Sequence, residues 1–141
     1  MEQGEIRKAV RDGYGKIARN SGNCCLPGAS CGCGRGGNSV EEISSGIGYS
    51  PDEMRSVPEG ANLGLGCGNP VALASLREGE TVVDLGSGAG FDAFLAARAV
   101  GKSGRVIGVD MTPEMIDKAR GNARKGDYGN VEFRLGEIEN L

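Results

Sequence analysis

No histidine occurs anywhere in the 141 residues. That removes the most frequent general base, the usual nitrogen ligand of zinc, and every Ser/His or Cys/His nucleophilic arrangement. No apolar run approaches the roughly 20 residues that span a bilayer, and the opening MEQGEIRKAVRDG is too charged for a secretory signal. A large charge excess is also missing. With a formal net charge of −3, nothing draws the chain to nucleic acid or to an anionic membrane surface. These absences make a cytoplasmic protein the expectation, with neither nucleic acid nor membrane among its partners. At 38% hydrophobic and 25% charged residues the composition is that of a globular chain, either one ordinary domain or a piece of a larger one.

What the sequence has in quantity is glycine, 26 residues, and a tight group of cysteines: four of the five fall in GNCCLPGASCGCGRGG, residues 22–37. In a reducing compartment such a group points to metal binding or chemistry before a disulfide scaffold. The spacing C-C-x5-C-x-C is not the paired C-x2-C pattern of a structural zinc site, and a plain glycine-rich loop is the blander alternative.

Residues 5–19 place Ile6, Val10, Tyr14, Ile17 and Ala18 at helical spacing, which predicts an amphipathic helix interrupted by Gly13 and Gly15. Three start signals follow. Ser39 with Glu42 and Ser50 with Pro51 and Glu53 form capping boxes, and Asn69-Pro70 opens a helix through VALASL that is expected to end near Gly79. From residue 80 strand and helix alternate: TVVDL, then GFDAFLAARAV closed by Gly101, then RVIGVD, a helix PEMIDKARGNAR capped by Thr112-Pro113, and NVEFRL. Such alternation predicts a parallel sheet with crossover helices.

The most informative stretch is VVDLGSGAG, residues 82–90, where an apolar strand ends in an acid and turns through glycines into a helix. Glycines suit a sharp bend against which a ligand lies, and the helix amides would face that ligand. The dinucleotide pattern G-x-G-x-x-G is not met, because position 91 is Phe91 and the third glycine is Gly90. A nicotinamide cofactor is therefore disfavoured, although Asp110 alone would suit it. The spacing D-x-G-x-G-x-G, from Asp84 through Gly86, Gly88 and Gly90, instead resembles motif I of the class I S-adenosylmethionine-dependent methyltransferases. The resemblance implies that Ser87 lies in the cofactor turn, that Asp110 holds the ribose hydroxyls, and that Met111 flanks the adenine. It also puts Glu137 where many relatives carry an aspartate facing the adenine amino group, one methylene longer here. The alternative is that Asp84 and Asp110 are only turn acids at strand ends.

YGKIA, the paired cysteines, LGLGCGNP, VVDLGSGAG and GVDMTPEMIDKAR together resemble the arsenite methyltransferase family from about residue 14 onward. The family implies transfer of a methyl group from S-adenosylmethionine to trivalent arsenic held by cysteine sulfur. The chemistry suits a chain without histidine: trivalent arsenic is soft and thiophilic, and its own lone pair is the nucleophile, so the protein has only to position it. On this reading Cys67, between Gly66 and Gly68, is the arsenic thiolate and the leading catalytic candidate. Cys24 and Cys25 are its upstream partners, with Cys25 as an arsenic relay. Adjacent cysteines do not readily bridge each other, so one of the pair would form its disulfide with Cys67 after turnover. Cys31 and Cys33 have no assigned step. For Cys67 a small buried packing residue is the other reading.

The resemblance implies a Rossmann-like class I methyltransferase α/β fold of about seven strands. With three predicted strands, the expectation is an incomplete sheet. A helical and Cys/Gly-rich segment over residues 1–70 would precede the first half of a cofactor-binding domain over residues 71–141, making this an N-terminal fragment inactive alone. Expected partners are arsenite or thiol-conjugated arsenite, a reductant such as thioredoxin or glutathione, and a second copy of the chain through an exposed strand edge. Two other readings stay open: a methyltransferase of the same fold acting on a small organic molecule, and a non-catalytic thiol module that binds a metal or metalloid.

Overall fold

The computed structural model describes residues 3–20, 39–66 and 68–140. Cys24, Cys25, Cys31, Cys33 and Cys67 all lie outside these residues, and so does the cysteine-rich strip read as a loop. The described elements run α1 (Gln3–Arg19), α2 (Val40–Gly46), α3 (Pro51–Arg55), α4 (Pro70–Ala74), β1 (Thr81–Leu85), α5 (Phe91–Val100), β2 (Arg105–Asp110), α6 (Pro113–Lys125), β3 (Val131–Leu135) and a 3-10 turn at Ile138–Asn140.

The three strands form one parallel sheet in the order β1-β2-β3, with Asp84 beside Gly108 and Gly108 beside Phe133. Consecutive parallel strands need a crossover, and α5 and α6 supply the two. Both helices pack on one sheet face: Phe94, Ala97 and Val100 of α5 meet Val106 and Phe133 of the strands and Ile116 and Ala119 of α6 in a single buried cluster. Phe94 sits at its centre, with ring centroids 4.6 Å from Tyr128 and 5.6 Å from Phe133. The opposite sheet face is bare around β1, where Val83 and Leu85 are exposed.

Sequence chemistry accounts for the helices. α5 is apolar nearly all round, as a helix between other elements must be, whereas α6 buries a stripe of Met115, Ile116, Ala119 and Asn122 and turns its charges outward. Both predicted capping boxes are formed: Ser39 accepts from the Glu42 amide and Ser50 from the Glu53 amide, and each glutamate reaches back to its cap.

Three local expectations change. α1 is continuous through Gly13 and Gly15, because the missing side chain at Gly15 allows α1 to lie close to the start of α6; a Cβ there would come 2.9 Å from Glu114 Oε2. α4 stops at Ala74 rather than near Gly79, since Ser75 turns into the left-handed region at φ 49°. Thr112 holds the N-cap position of α6 but makes no side-chain capping bond. Its backbone N–H donates instead to Asp110 Oδ1 at 2.8 Å, while the residue itself is buried. Among the described residues no helix is long and apolar enough to cross a membrane.

Candidate functional site

At the C-terminal ends of β1, β2 and β3 lies a cavity of about 630 Å³, within the usual size range of small-molecule sites. Gly86, Gly88, Asp110, Met111 and Glu137 all line it. Five of the eight residues marked as cofactor-binding by the resemblance thus converge on one space, from the ends of all three strands.

The other three lie behind its wall. Gly90 is the N-cap of α5 with φ 99°, and a Cβ there would stand 2.7 Å from both Phe133 Cζ and Phe94 Cε2. Its glycine is demanded by conformation and by packing at once. Ser87 is buried and borders a smaller neighbouring pocket of about 100 Å³, together with Asn62, Gly66 and Asp92. Asp84 is held inside the sheet end beside Gly108. Burial pushes its carboxyl up to about 6, with the negative charges of Asp92 and Asp110 adding to the effect.

Asp110 is tied down by the backbone around it. Its Oδ2 accepts the Gly88 N–H at 3.0 Å and its Oδ1 the Thr112 N–H, so the carboxylate joins the glycine turn to the end of β2. The turn-acid reading is therefore true as far as it goes. A carboxylate has about four lone-pair sites, however, and these two bonds leave acceptor capacity on a residue that lines the cavity.

A cofactor with a cationic, hydrogen-bonding end fits the turn. Asp84 Oδ2 and Ser87 Oγ are both shut off from solvent without a hydrogen-bond partner. Such orphans cost free energy, and a ligand that brought a donor to them would satisfy them. Gly86 offers the complementary cradle: a Cβ on it would meet nothing within 4 Å on the protein side, so the space it faces is open to a ligand.

Several contributors were not legible as site residues in the sequence. Arg7 and Tyr14 of α1 and Leu65 also line the larger cavity. Arg7 and Arg11 ion-pair with Glu137, at 3.3 Å to Oε2 and 3.4 Å to Oε1. Their spacing on α1 was the only signal, and it reads as an ordinary polar face. On the other side, the Tyr49 hydroxyl donates to Asp92 Oδ1 at 2.6 Å, and the Tyr49 ring packs against Phe91 at 4.6 Å between centroids. The Asp92 carboxyl is pushed up by burial, an effect opposed by the Tyr49 hydrogen bond and reinforced by the charge of Glu53. Among the described residues no group of three or more metal-ligating side chains occurs.

A family model described as a methyltransferase domain matches residues 76–141. The arsenite methyltransferase of Halobacterium salinarum is 55% identical over 97% of this chain and 36% of its own length. That of Aquipseudomonas alcaligenes is 34% identical over 96% of this chain and 37% of its own. The solved structure of CrArsM, an arsenic(III) S-adenosylmethionine methyltransferase from Chlamydomonas reinhardtii, is similar at 36% identity and a TM-score of 0.45, covering 69% of this chain and 32% of that one. The chain spans a little over a third of the length of these two curated relatives.

Proposed function

We propose that the cavity above the glycine turn binds S-adenosylmethionine, that the protein is a class I methyltransferase, and that it methylates trivalent arsenic. The observation that carries the cofactor half is the convergence of Gly86, Gly88, Asp110, Met111 and Glu137 on one cavity. Similarity to two arsenite methyltransferases over 97% and 96% of this chain, though over only 36% and 37% of theirs, supports the acceptor half.

When bound, S-adenosylmethionine supplies an electrophilic methyl carbon. The residues of this chain do the rest by binding and orientation. Gly86 and Gly88 let the ligand lie against the backbone, Asp110 takes the ribose hydroxyls, and Met111 and Glu137 meet the adenine. Asp84 and Ser87 take donors from the cationic end. Cys67 is proposed as the arsenic thiolate, with Cys25 relaying arsenic and Cys24 as its neighbour; a soft thiolate matches a soft acceptor, and no protein base is needed. Gly66 borders the smaller pocket that Gly86 and Gly88 also border. Residues 71–141 then supply most of the cofactor side, and residues 1–70 the acceptor side, with Arg7, Tyr14 and Leu65 adding to the wall of the cofactor cavity. A thiol reductant, thioredoxin or glutathione, would return the cysteines to the reduced state, which the cytoplasm maintains.

Arsenite titration of wild type against Cys67→Ser tests the acceptor. Tight binding that falls at least tenfold in the variant is the expected result. An unchanged titration would favour a small organic acceptor, and arsenite binding without any S-adenosylmethionine binding by calorimetry would favour a thiol module.

A second copy of the chain is the proposed partner at the sheet edge. β3 is blunted, since the Arg120 side chain donates from Nε and Nη2 to the Phe133 carbonyl at 3.2 and 2.9 Å. β1 pairs only with β2 among the described residues and carries exposed Val83 and Leu85. Sedimentation is expected to show concentration-dependent dimers that Val83→Lys abolishes; a strictly monomeric wild type at high concentration would refute this.

A further inference from the structure

α1 is fastened to the domain in two unlike ways. Its C-terminal end is packed: Ala18 is buried with Ala89 and Met115, the Ala18 carbonyl accepts from Lys118 Nζ at 3.3 Å, and Arg19 pairs with Glu114 at 2.5 Å. Its N-terminal half, which borders the cavity, is joined by charge. Arg7 bridges Glu137 and, at 2.9 Å, Glu139, while Arg11 takes the other oxygen of Glu137.

Two details set this apart from a casual surface contact. Arg11 Nε is shut off from solvent with no partner, a placement that costs free energy and persists only where the surroundings hold the side chain. Glu137, for its part, accepts from Arg7, Arg11 and, at 3.3 Å, Asn140 Nδ2. Those bonds occupy three of the roughly four lone-pair sites of a carboxylate. One remains, on a residue that lines the cavity.

We propose that Arg7 and Arg11 are positioning residues for the adenine end of the cofactor: from α1 they grip both oxygens of Glu137, direct its remaining acceptor site at the exocyclic amino group, and so set a preference for adenine over purines lacking that amine. The inference rests on the methyl-donor reading of the cavity. It assigns α1 a part in cofactor selection rather than packing alone. Because the grip is made of partly exposed ion pairs, it weakens as salt screens them.

The test compares S-adenosylhomocysteine with its analogue carrying hydrogen in place of the 6-amino group, by calorimetry on the full chain. Wild type is expected to prefer the amino form about tenfold, the range of one hydrogen bond to a charged group. In Arg7→Gln/Arg11→Gln the preference is expected to fall to about twofold, chiefly through weaker binding of the amino form, and Arg7→Lys/Arg11→Lys is expected to restore part of it. Raising the salt concentration should erode the wild-type preference and leave the glutamine variant unmoved. Arg7→Gln alone, at a side chain 38% exposed, serves if the double variant melts early. Equal weakening of both ligands, or a preference that survives the double variant, would overturn the inference while the methyl-donor reading stands. Wild type binding neither ligand would sink both.

Discussion

Replacing Asp84 with asparagine is expected to raise the melting temperature of the ligand-free chain at pH 7 by about 5–10 °C while abolishing S-adenosylmethionine binding. The argument starts from the carboxyl in the unbound protein, which burial and the charges of Asp92 and Asp110 push from 3.8 to about 6. Between those two values the folded state holds a proton that the unfolded state has lost, so stability falls as pH rises through this window. The stability present below pH 3.8 is lost once pH passes about 6, and the loss amounts to about 3 kcal/mol at neutrality. Asparagine removes the ionisation cost but still needs a partner for its amide, so about 2 kcal/mol of gain remains. Melting curves from pH 4 to 8 check this: wild type should lose stability across pH 4–6, and Asp84→Asn should lack that component. A variant no more stable than wild type at pH 7 would show that Asp84 is not held at such cost.

The same carboxylate gives binding a signature. A cationic ligand beside Asp84 favours its ionised form, so binding near pH 6 should release a proton and weaken as pH falls below that value. Calorimetry in two buffers of different ionisation enthalpy reads the proton directly.

Gly90→Ala is expected to cost about 3–5 kcal/mol, a large part of the 5–15 kcal/mol that holds a domain together, and to remove a cooperative thermal transition. Two terms add. At φ 99° any L side chain is strained by about 1–2 kcal/mol, and the new methyl would sit 2.7 Å from the Phe94 and Phe133 rings, which the buried core cannot move aside cheaply. Gly86→Ala provides the contrast. Its φ of 77° imposes the strain, but a Cβ there meets no protein atom within 4 Å. That variant should fold, melt modestly lower, and lose S-adenosylmethionine binding because the methyl enters the ligand's space. If both alanine variants fell equally in stability, the division of the turn into a packed glycine and a ligand-facing one would be wrong.

The sequence by itself determined the features whose chemistry is local. Capping boxes act over three residues, so Ser39 and Ser50 announce their helices without reference to anything else. The glycine turn is equally local: positive φ at Gly86, Gly88 and Gly90 between an apolar strand and a helix is written in the spacing of the residues themselves. With Asp110 at the end of the next strand, that pattern names three of the residues that line the cavity, Gly86, Gly88 and Asp110.

Tertiary structure alone decided what depends on residues distant in the chain. Glu137 meets Arg7 and Arg11 across 130 and 126 positions, and no periodicity in α1 encodes a partner that far away. The continuity of α1 through Gly15 likewise follows from its contact with Glu114, not from helix propensity, which opposes it. The proton on Asp84 is of the same kind, since a carboxyl is acidic in sequence and becomes reluctant to ionise only when folding withdraws water and brings Asp92 and Asp110 near. Backbone conformation is governed by neighbours along the chain, whereas burial and charge are governed by neighbours in space, and only folding supplies the latter.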